Sequence, residues 1–509
     1  MKKYALFSVN ETEGLIDFAR ALCSLNWKIV ATEKAFAFLR DADVKVISVA
    51  DFVGVYDDYG FPPTLHPKIE YALTSMDAAE SIELVYDIPY GLDVGNDVGG
   101  HTLLALAIKG NKLPIFSYAD MCEAVKIISS HGKVPDDIRR QFISKASFQI
   151  VMHYSNILHN QGEDKYDAVS MQKRYGLLNG ENPYQIPADF MAVESLDTLS
   201  IERFNLITHN TPCFTNMADF DCIVETFCKI SLAFYKNKNK IPFIAIAAKH
   251  GNACGVGTDW QYPLTAIRKA LWGNPLAIWG GEFIVNFPLT KEAADMLYAS
   301  NERKQKFRDD KWMLDIIISP AISEDAYNIL SKRKNTKIFT NKALSMPTLP
   351  TAEWSYRFVR GGILRQPLNS YILDIQDVKW VAEPMSDEQV DSAIIAWGCS
   401  FTSFHGGNEV AVARDGRLLG IGGGPSTVDA AEIAISRSLK HYHSLADAVF
   451  GADAFFPFTD APSLLVDAGC VAGVVPSGGR SKMEVENYFL KNKIKVAFID
   501  EMYRGFCRH

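Results

Sequence analysis

Short apolar runs alternate with amphipathic segments of helical length over most of this chain, which restricts it to folds assembled from βαβ units. Residues 4–9, 28–32 and 44–49 read as strands, with helices over 13–23 and 34–40 between them. Strands at 82–86 and 113–117 follow, with helices near 102–109, 119–130 and 136–158. The polar stretch 159–166 reads as a link. Beyond it the same style recurs on a larger scale, with strands expected at 241–248, 276–285, 314–318, 337–340, 410–414, 418–421, 470–475 and 494–499. The proline-containing segment 347–354 divides this second part into two lobes. No internal repeat is read from the sequence.

A chain of 509 residues exceeds one hydrophobic core, so about two to four domains are expected. Its net charge of −8 supplies no basic footprint and argues against nucleic acid as a partner. The nine cysteines include no C-x-x-C pair, so zinc-ribbon spacing is absent and reduced thiols in a cytoplasmic setting are expected. No apolar run reaches the roughly 18 residues of a membrane span. The apolar run near the start is too short for a secretory signal core.

The chemistry-bearing segment is AAKHGNACGVG, residues 247–257, which follows the apolar run 241–248 directly. A covered strand ending at a glycine-broken turn puts Lys249 and His250 where α/β sheets keep their binding crevices. An ammonium there can stabilise developing negative charge while an imidazole moves a proton. The plain alternative is a lysine in solvent and a histidine closing a strand. Cys254, between Ala253 and Gly255, reads as a packing residue in preference to a nucleophile.

Four further segments stand out. KRYGLLNGENPYQ, residues 173–185, is a turn-rich loop carrying Asn182. In AIWGGEFIVN, residues 277–286, Gly280 and Gly281 break a strand and admit close backbone approach, with Asn286 behind them. HGGNEVAVARDGRLLGIGGGPST, residues 405–427, reads as two strands turning at Asp415–Gly416, then a glycine-rich loop opening a helix. That helix end could hold an anion, although Ser426 and Asp429 match a cap that would use its N–H groups internally. DAFFPFTD, residues 453–460, sets Phe455 and Phe456 beside Pro457, either as core or as a wall for a flat aromatic ligand. GIGGG lacks the lysine of a triphosphate loop and the acidic partner of a dinucleotide fingerprint.

Taken in order, these segments resemble the bifunctional AICAR transformylase/IMP cyclohydrolase family. KHGNACG matches its K-H-x-N-P-C-G turn, GENPYQ part of R-Y-G-x-N-P-H-Q, and AIWGGEFIVN its S-A-F-G-G-x-x-x-x-N. Gly407–Asn408 through GIGGG, then ADAFFPFTD, then the terminal Cys507–Arg508–His509 complete the series. The resemblance implies an α/β chain: a methylglyoxal-synthase-like domain over 1–160, then two zinc-free cytidine-deaminase-like lobes over 166–350 and 351–509, working as a cytoplasmic homodimer. It implies formyl transfer from 10-formyltetrahydrofolate to the 5-amino group of AICAR. His250 would accept the proton, Lys249 would stabilise the oxyanion, and Asn408 would orient the substrate. Substrate contacts fall on Asn182, Gly280, Gly281, Asn286 and Arg504, and folate contacts on Asp453, Phe455, Phe456 and Pro457. No metal performs the chemistry, although the family can hold a structural potassium ion.

The chain departs from the pattern in both parts. The family's V-K-T-L-H-P segment, with an arginine two residues before its lysine, is here GFPPTLHP, leaving Phe61 and Pro63 at the cationic places. Its S-V-S-D-K reads SVNET, and its glycine nest S-T-G-G-T reads ATEKA, with Glu33 and Lys34. Thr64, His66, Asp97 and Lys109 are retained. Glycine loss stiffens the anion cradle and Glu33 repels an anion, so the cyclohydrolase activity is expected to be lost. In the second part Leu178 and Asn179 stand for the family Arg and Tyr, with Arg174–Tyr175 nearby, and Val428 stands for another Arg. The alternative is a non-catalytic paralogue that binds a nucleotide or folate.

Overall fold

The computed structural model describes residues 2–56, 62–162, 165–350 and 354–505, so Phe61 and the motif at 507–509 lie outside the described residues. The chain divides into two compact units, Met1–Met171 and Gln172–His509. The first holds a five-stranded parallel sheet of β1 (Lys2–Ser8), β2 (Lys28–Ala31), β3 (Val46–Ser48), β4 (Glu80–Asp87) and β5 (Leu113–Ile115), in the order β3-β2-β1-β4-β5. Alternate residues of β1 face two different cores: Ala5 and Phe7 pack in one, Tyr4 and Leu6 in the other. Burial on both faces is what an uninterrupted apolar strand encodes.

Strands β6 (Met171–Leu177) and β7 (Ala188–Val193) pair as a separate two-stranded sheet. The rest of the second unit is organised on one mixed sheet of twelve strands. Six come from β8 (Asn205–Leu206), β9 (Phe243–Lys249), β10 (Asn252–Asp259), β11 (Glu282–Val285), β12 (Ile316–Ser319) and β13 (Lys337–Thr340). A partly exposed hairpin of β14 (Trp354–Val359) and β15 (Gly362–Pro367) intervenes. The other six are β16 (Lys379–Val381), β17 (Asn408–Arg414), β18 (Arg417–Gly424), β19 (Ala448–Ala452), β20 (Cys470–Pro476) and β21 (Lys495–Ile499).

The order β16-β21-β20-β19-β17-β18-β10-β9-β11-β12-β13-β8 reads the same from either end once the two sets are matched. Hairpin β9–β10 corresponds to β17–β18, β11 to β19, β12 to β20 and β13 to β21. The unit is thus an internal duplication, contrary to the expectation of no repeat. Both hairpins turn on a left-handed pair, His250–Gly251 with φ of 53° and 71°, and Asp415–Gly416 with φ of 51° and 68°. The halves join where β10 meets β18, through Gly257 opposite Arg417 and the Thr258 N–H donating to Gly416 O at 2.7 Å.

The glycines of GIGGG lie within β18 and not in a loop, which corrects the expected boundary. Their lack of a side chain lets a helix lie directly on the strand: a Cβ on Gly422 would fall 2.5 Å from Ala430 O, and one on Gly420 2.5 Å from Ala434 O. Helix Thr427–Lys440 therefore rests on β18 as helix Pro263–Leu271 rests on β10, where a Cβ on Gly255 would meet Ala270 O at 2.0 Å. Gly255→Ala is expected to destabilise the unit by about 1–3 kcal/mol through overpacking. Gly362→Ala, with nothing within 4 Å of the added carbon, should change stability by less than about 0.5 kcal/mol in the same urea titration. Among the described residues no helix is long and apolar enough to cross a membrane.

Candidate active site

The register of the large sheet brings most of the singled-out residues to one edge. β9 ends there at Lys249, β10 begins at Asn252, β11 at Glu282 and β17 at Asn408, while β18, β19, β20 and β21 end there. The Lys249 ammonium donates to Gly280 O at 2.5 Å, so it lies over the Gly280–Gly281 backbone. A Cβ on Gly280 would fall 3.1 Å from that nitrogen, and one on Gly281 2.2 Å from Ala248 O. Gly280 also has φ of 67°, a conformation side chains disfavour.

His250 is exposed at the turn and holds a left-handed backbone, which is uncommon for a residue other than glycine. Gly251 packs inward against Cys222 of helix Phe214–Lys238 and against Phe404. Burial pushes the Cys254 thiol up to about 12, so it stays protonated at neutral pH and is a poor nucleophile. Asp219, on the same helix, interacts electrostatically with both His250 and Lys249.

The second half supplies the rest of the edge. The Phe404 N–H donates to Asn252 Oδ1 at 2.9 Å, tying the loop before Asn408 to the Lys249–His250 hairpin. Asn408 donates to Pro425 O at 3.1 Å. Three strand spacings, about 14 Å, separate β17 from β9, so Asn408 and Lys249 address different parts of any common ligand. Glu409, 1% exposed, accepts from the His405 and Gly406 N–H groups and lies 2.8 Å from His405 Nδ1. Asp453 is turned inward and accepts from the Glu409 N–H at 2.8 Å. Burial pushes its carboxyl up to about 8. Phe455 is half-buried beneath Gly478 and Gly479, with Pro457 beside it. Arg504 is exposed, and its neighbour Gly505 donates its N–H to Asp453 O.

Three expected site residues fall elsewhere. Asn286 sits at the opposite end of β11, where its carboxamide accepts from Ile244 N–H and donates to Pro242 O, a strand-closing role. Phe456 is 2% exposed and packs near Phe450, so its ring belongs to the core. Asn182 lies in the β6–β7 loop, its amide and side chain both bonded to Gln185 Oε1. Arg174 is held by Glu202 at 3.0 Å. Val428 opens helix Thr427–Lys440, where Ser426 accepts from the Asp429 N–H at 3.1 Å and caps it as the spacing predicted. Asp219 and Glu282 are further polar residues of this edge, and the lone glutamate in the apolar run GGEFIVN is their visible signal in the sequence.

The smaller sheet has its own carboxyl edge, and it is acidic. Asp97 caps helix Val98–Lys109, accepting from the Gly100 and Tyr90 N–H groups, and Lys109 ends the same helix and pairs with Glu70. These two retained residues are therefore roughly 18 Å apart along the axis. His66 caps a helix through Lys68 N–H, and Thr64 is buried. Glu11, Glu13 and Glu33 are exposed beyond β1 and β2. Burial, opposed by a Ser8 hydrogen bond and aided by Asp97, pushes Asp87 up to about 7. Its folded value lies above its unfolded one, so the native state binds the extra proton and loses stability as pH rises from about 4 to about 7. Asp87→Asn should raise the melting temperature by several degrees at about pH 8 and change it little at about pH 4, which a thermal scan at both values checks.

The model of the AICARFT/IMPCHase bienzyme family matches residues 113–437, across both units. The chain belongs to this family. Curated relatives align along their whole length at low identity. The bifunctional purine biosynthesis protein PurH of Oenococcus oeni is 26% identical, with all of both chains covered. The same is true of PurH from Caldicellulosiruptor saccharolyticus, also at 26%. PurH from Lactococcus lactis subsp. cremoris is 27% identical over 98% of each chain. The family model thus spans the end of the first unit and most of the second, and the curated relatives extend over the rest of the chain.

Proposed function

We propose that this chain transfers the formyl group of 10-formyltetrahydrofolate to the 5-amino group of AICAR or a close relative. The observation that carries the reading is the Lys249–His250 turn at the sheet edge, with the Lys249 ammonium held over the Gly280–Gly281 backbone and Asp219 within electrostatic reach of both residues. The amine nitrogen attacks the formyl carbon, and His250 takes the proton the amine loses. Lys249, anchored by Gly280 O, stabilises the oxyanion. The oxyanion then collapses, the bond from carbon to N10 breaks, and a proton goes to N10, so the co-substrate leaves as tetrahydrofolate. Asn408 orients the substrate from the second half. Phe455 and Pro457 border the folate ring, and Arg504 contacts substrate.

The two halves correspond to cytidine-deaminase-like lobes over 166–350 and 351–509, and residues 1–160 to a methylglyoxal-synthase-like domain. Support for the two lobes comes from the duplicated strand order. The working form is a cytoplasmic homodimer. A second reading, a paralogue that binds nucleotide or folate without turnover, draws on Leu178 standing exposed at a clamp position and on Arg174 being occupied by Glu202. Absorbance-monitored tetrahydrofolate release with and without AICAR separates the two. Release that depends on AICAR supports transfer, and binding of either ligand without release supports the second reading.

A further inference from the structure

We propose that Glu282 carries a proton which it donates to Asp219, fixing Asp219 as the anion that faces His250 and Lys249. Glu282 opens β11 opposite Ala248 of β9, the residue before Lys249. Its strand-mate Ile284, with Ala248 and Ile246 of β9, packs in the core that includes helix Phe214–Lys238, so strand alternation turns Glu282 toward that helix. It is 1% exposed. Its Oε2 has no hydrogen-bond partner, and no ion pair forms at its carboxyl among the described residues.

An ionised carboxylate so placed would be poorly compensated, because Lys249 acts on it through space while its ammonium donates to Gly280 O. The groups facing Glu282 are Asp219 of the helix, Lys249 of β9 and Cys254 of β10. Of these, Asp219 shares a side-chain hydrogen bond with it. Two hydrogen-bonded carboxyls cannot both be ionised cheaply, so they hold one proton between them. The proton belongs on the deeper group. Glu282 is fully buried and is pushed well above the usual carboxylate range by that burial and by Asp219. Burial raises the half-buried Asp219 carboxyl too, but His250, the Glu282 hydrogen bond and Lys249 oppose that rise, whereas Glu282 is the more deeply buried of the two.

The arrangement makes Asp219 a positioning residue. A fixed carboxylate beside His250 stabilises the imidazolium formed when the amine proton is taken, as a buried aspartate does in an acyl-transfer triad. Glu282 in turn acts through Asp219. This role in turnover rests on the formyl-transfer reading, whereas the shared proton does not.

Two measurements on the full chain keep those apart. Infrared difference spectra at neutral pH, wild type minus Glu282→Gln, should show the carbonyl stretch of one protonated carboxylic acid beyond those of Asp453 and Asp87, and the same band should persist in His250→Ala. In transformylase assays Asp219→Asn should lower kcat about 10- to 100-fold with little change in KM for AICAR, and alter the pH profile of kcat. Glu282→Leu, which has no donor, should fall likewise. Glu282→Gln, whose amide can still donate to Asp219, should recover most of the rate relative to the leucine variant. Absence of a Glu282-dependent acid band in folded protein would overturn the proposal, as would an Asp219→Asn enzyme with the wild-type pH profile. A wild-type chain that shows the band but no turnover would leave the shared proton standing and remove the formyl-transfer reading.

Discussion

Replacing His250 by asparagine is expected to lower AICAR formylation by about 10²–10⁴-fold while leaving the fold in place. Asparagine suits the test because it tolerates the left-handed backbone that His250 adopts at 53°, whereas alanine adds a conformational penalty. The side chain is exposed, so its loss opens no cavity. Lys249→Met, which keeps the stem but removes the charge, should cost about 10²–10³ in kcat, the usual loss for an oxyanion donor. Its hydrogen bond to Gly280 O is lost as well, so its melting temperature should be read alongside. Rates within about threefold of wild type in both variants would place the chemistry elsewhere.

The second large effect concerns ring closure. The purified chain is expected to give no acceleration of IMP formation from FAICAR over the uncatalysed rate. Phosphate recognition needs free N–H groups and cations, and the carboxyl edge of the smaller sheet offers Glu11, Glu13 and Glu33 on its rim. Asp97 is used as a helix cap, and Lys109 is paired with Glu70 at the far end of that helix. Turnover at a rate comparable with the AICAR transfer step would refute the loss of this activity. An FAICAR affinity undiminished by Asp97→Ala would agree with it, because the residue would then be structural alone.

The parallel sheet of the first unit is legible because β1, β2, β4 and β5 each centre on a short apolar run. The Lys249–His250 edge was legible for the same reason. The duplication was overlooked, although its mark is in the sequence: HGNACGVG and DGRLLGIG share a turn glycine and two strand glycines, with His250 and Asp415 being 165 positions apart. Each spacing serves a helix lying on a bare strand, a requirement that only three-dimensional packing makes obvious. Glycine is a poor strand former, so GIGGG looks like a loop in sequence, but close helix contact overrides that preference and places it within β18. Local motifs do not reveal which way a side chain turns at a strand end, which is why Asn286 closing β11 and the buried Phe456 are not legible from sequence. The pairing of Asp219 with Glu282 joins residues 63 positions apart, on elements whose contact no local pattern encodes.

The most direct measurement is the fate of a labelled formyl carbon. Purified protein is incubated with 10-formyltetrahydrofolate carrying ¹³C in the formyl group, with and without AICAR, and the products are followed by NMR. The label is expected to appear on the AICAR amine in step with tetrahydrofolate release, and to stay on the folate when AICAR is absent. Label released as formate, or retained on the folate in the presence of AICAR, would contradict formyl transfer at this sheet edge.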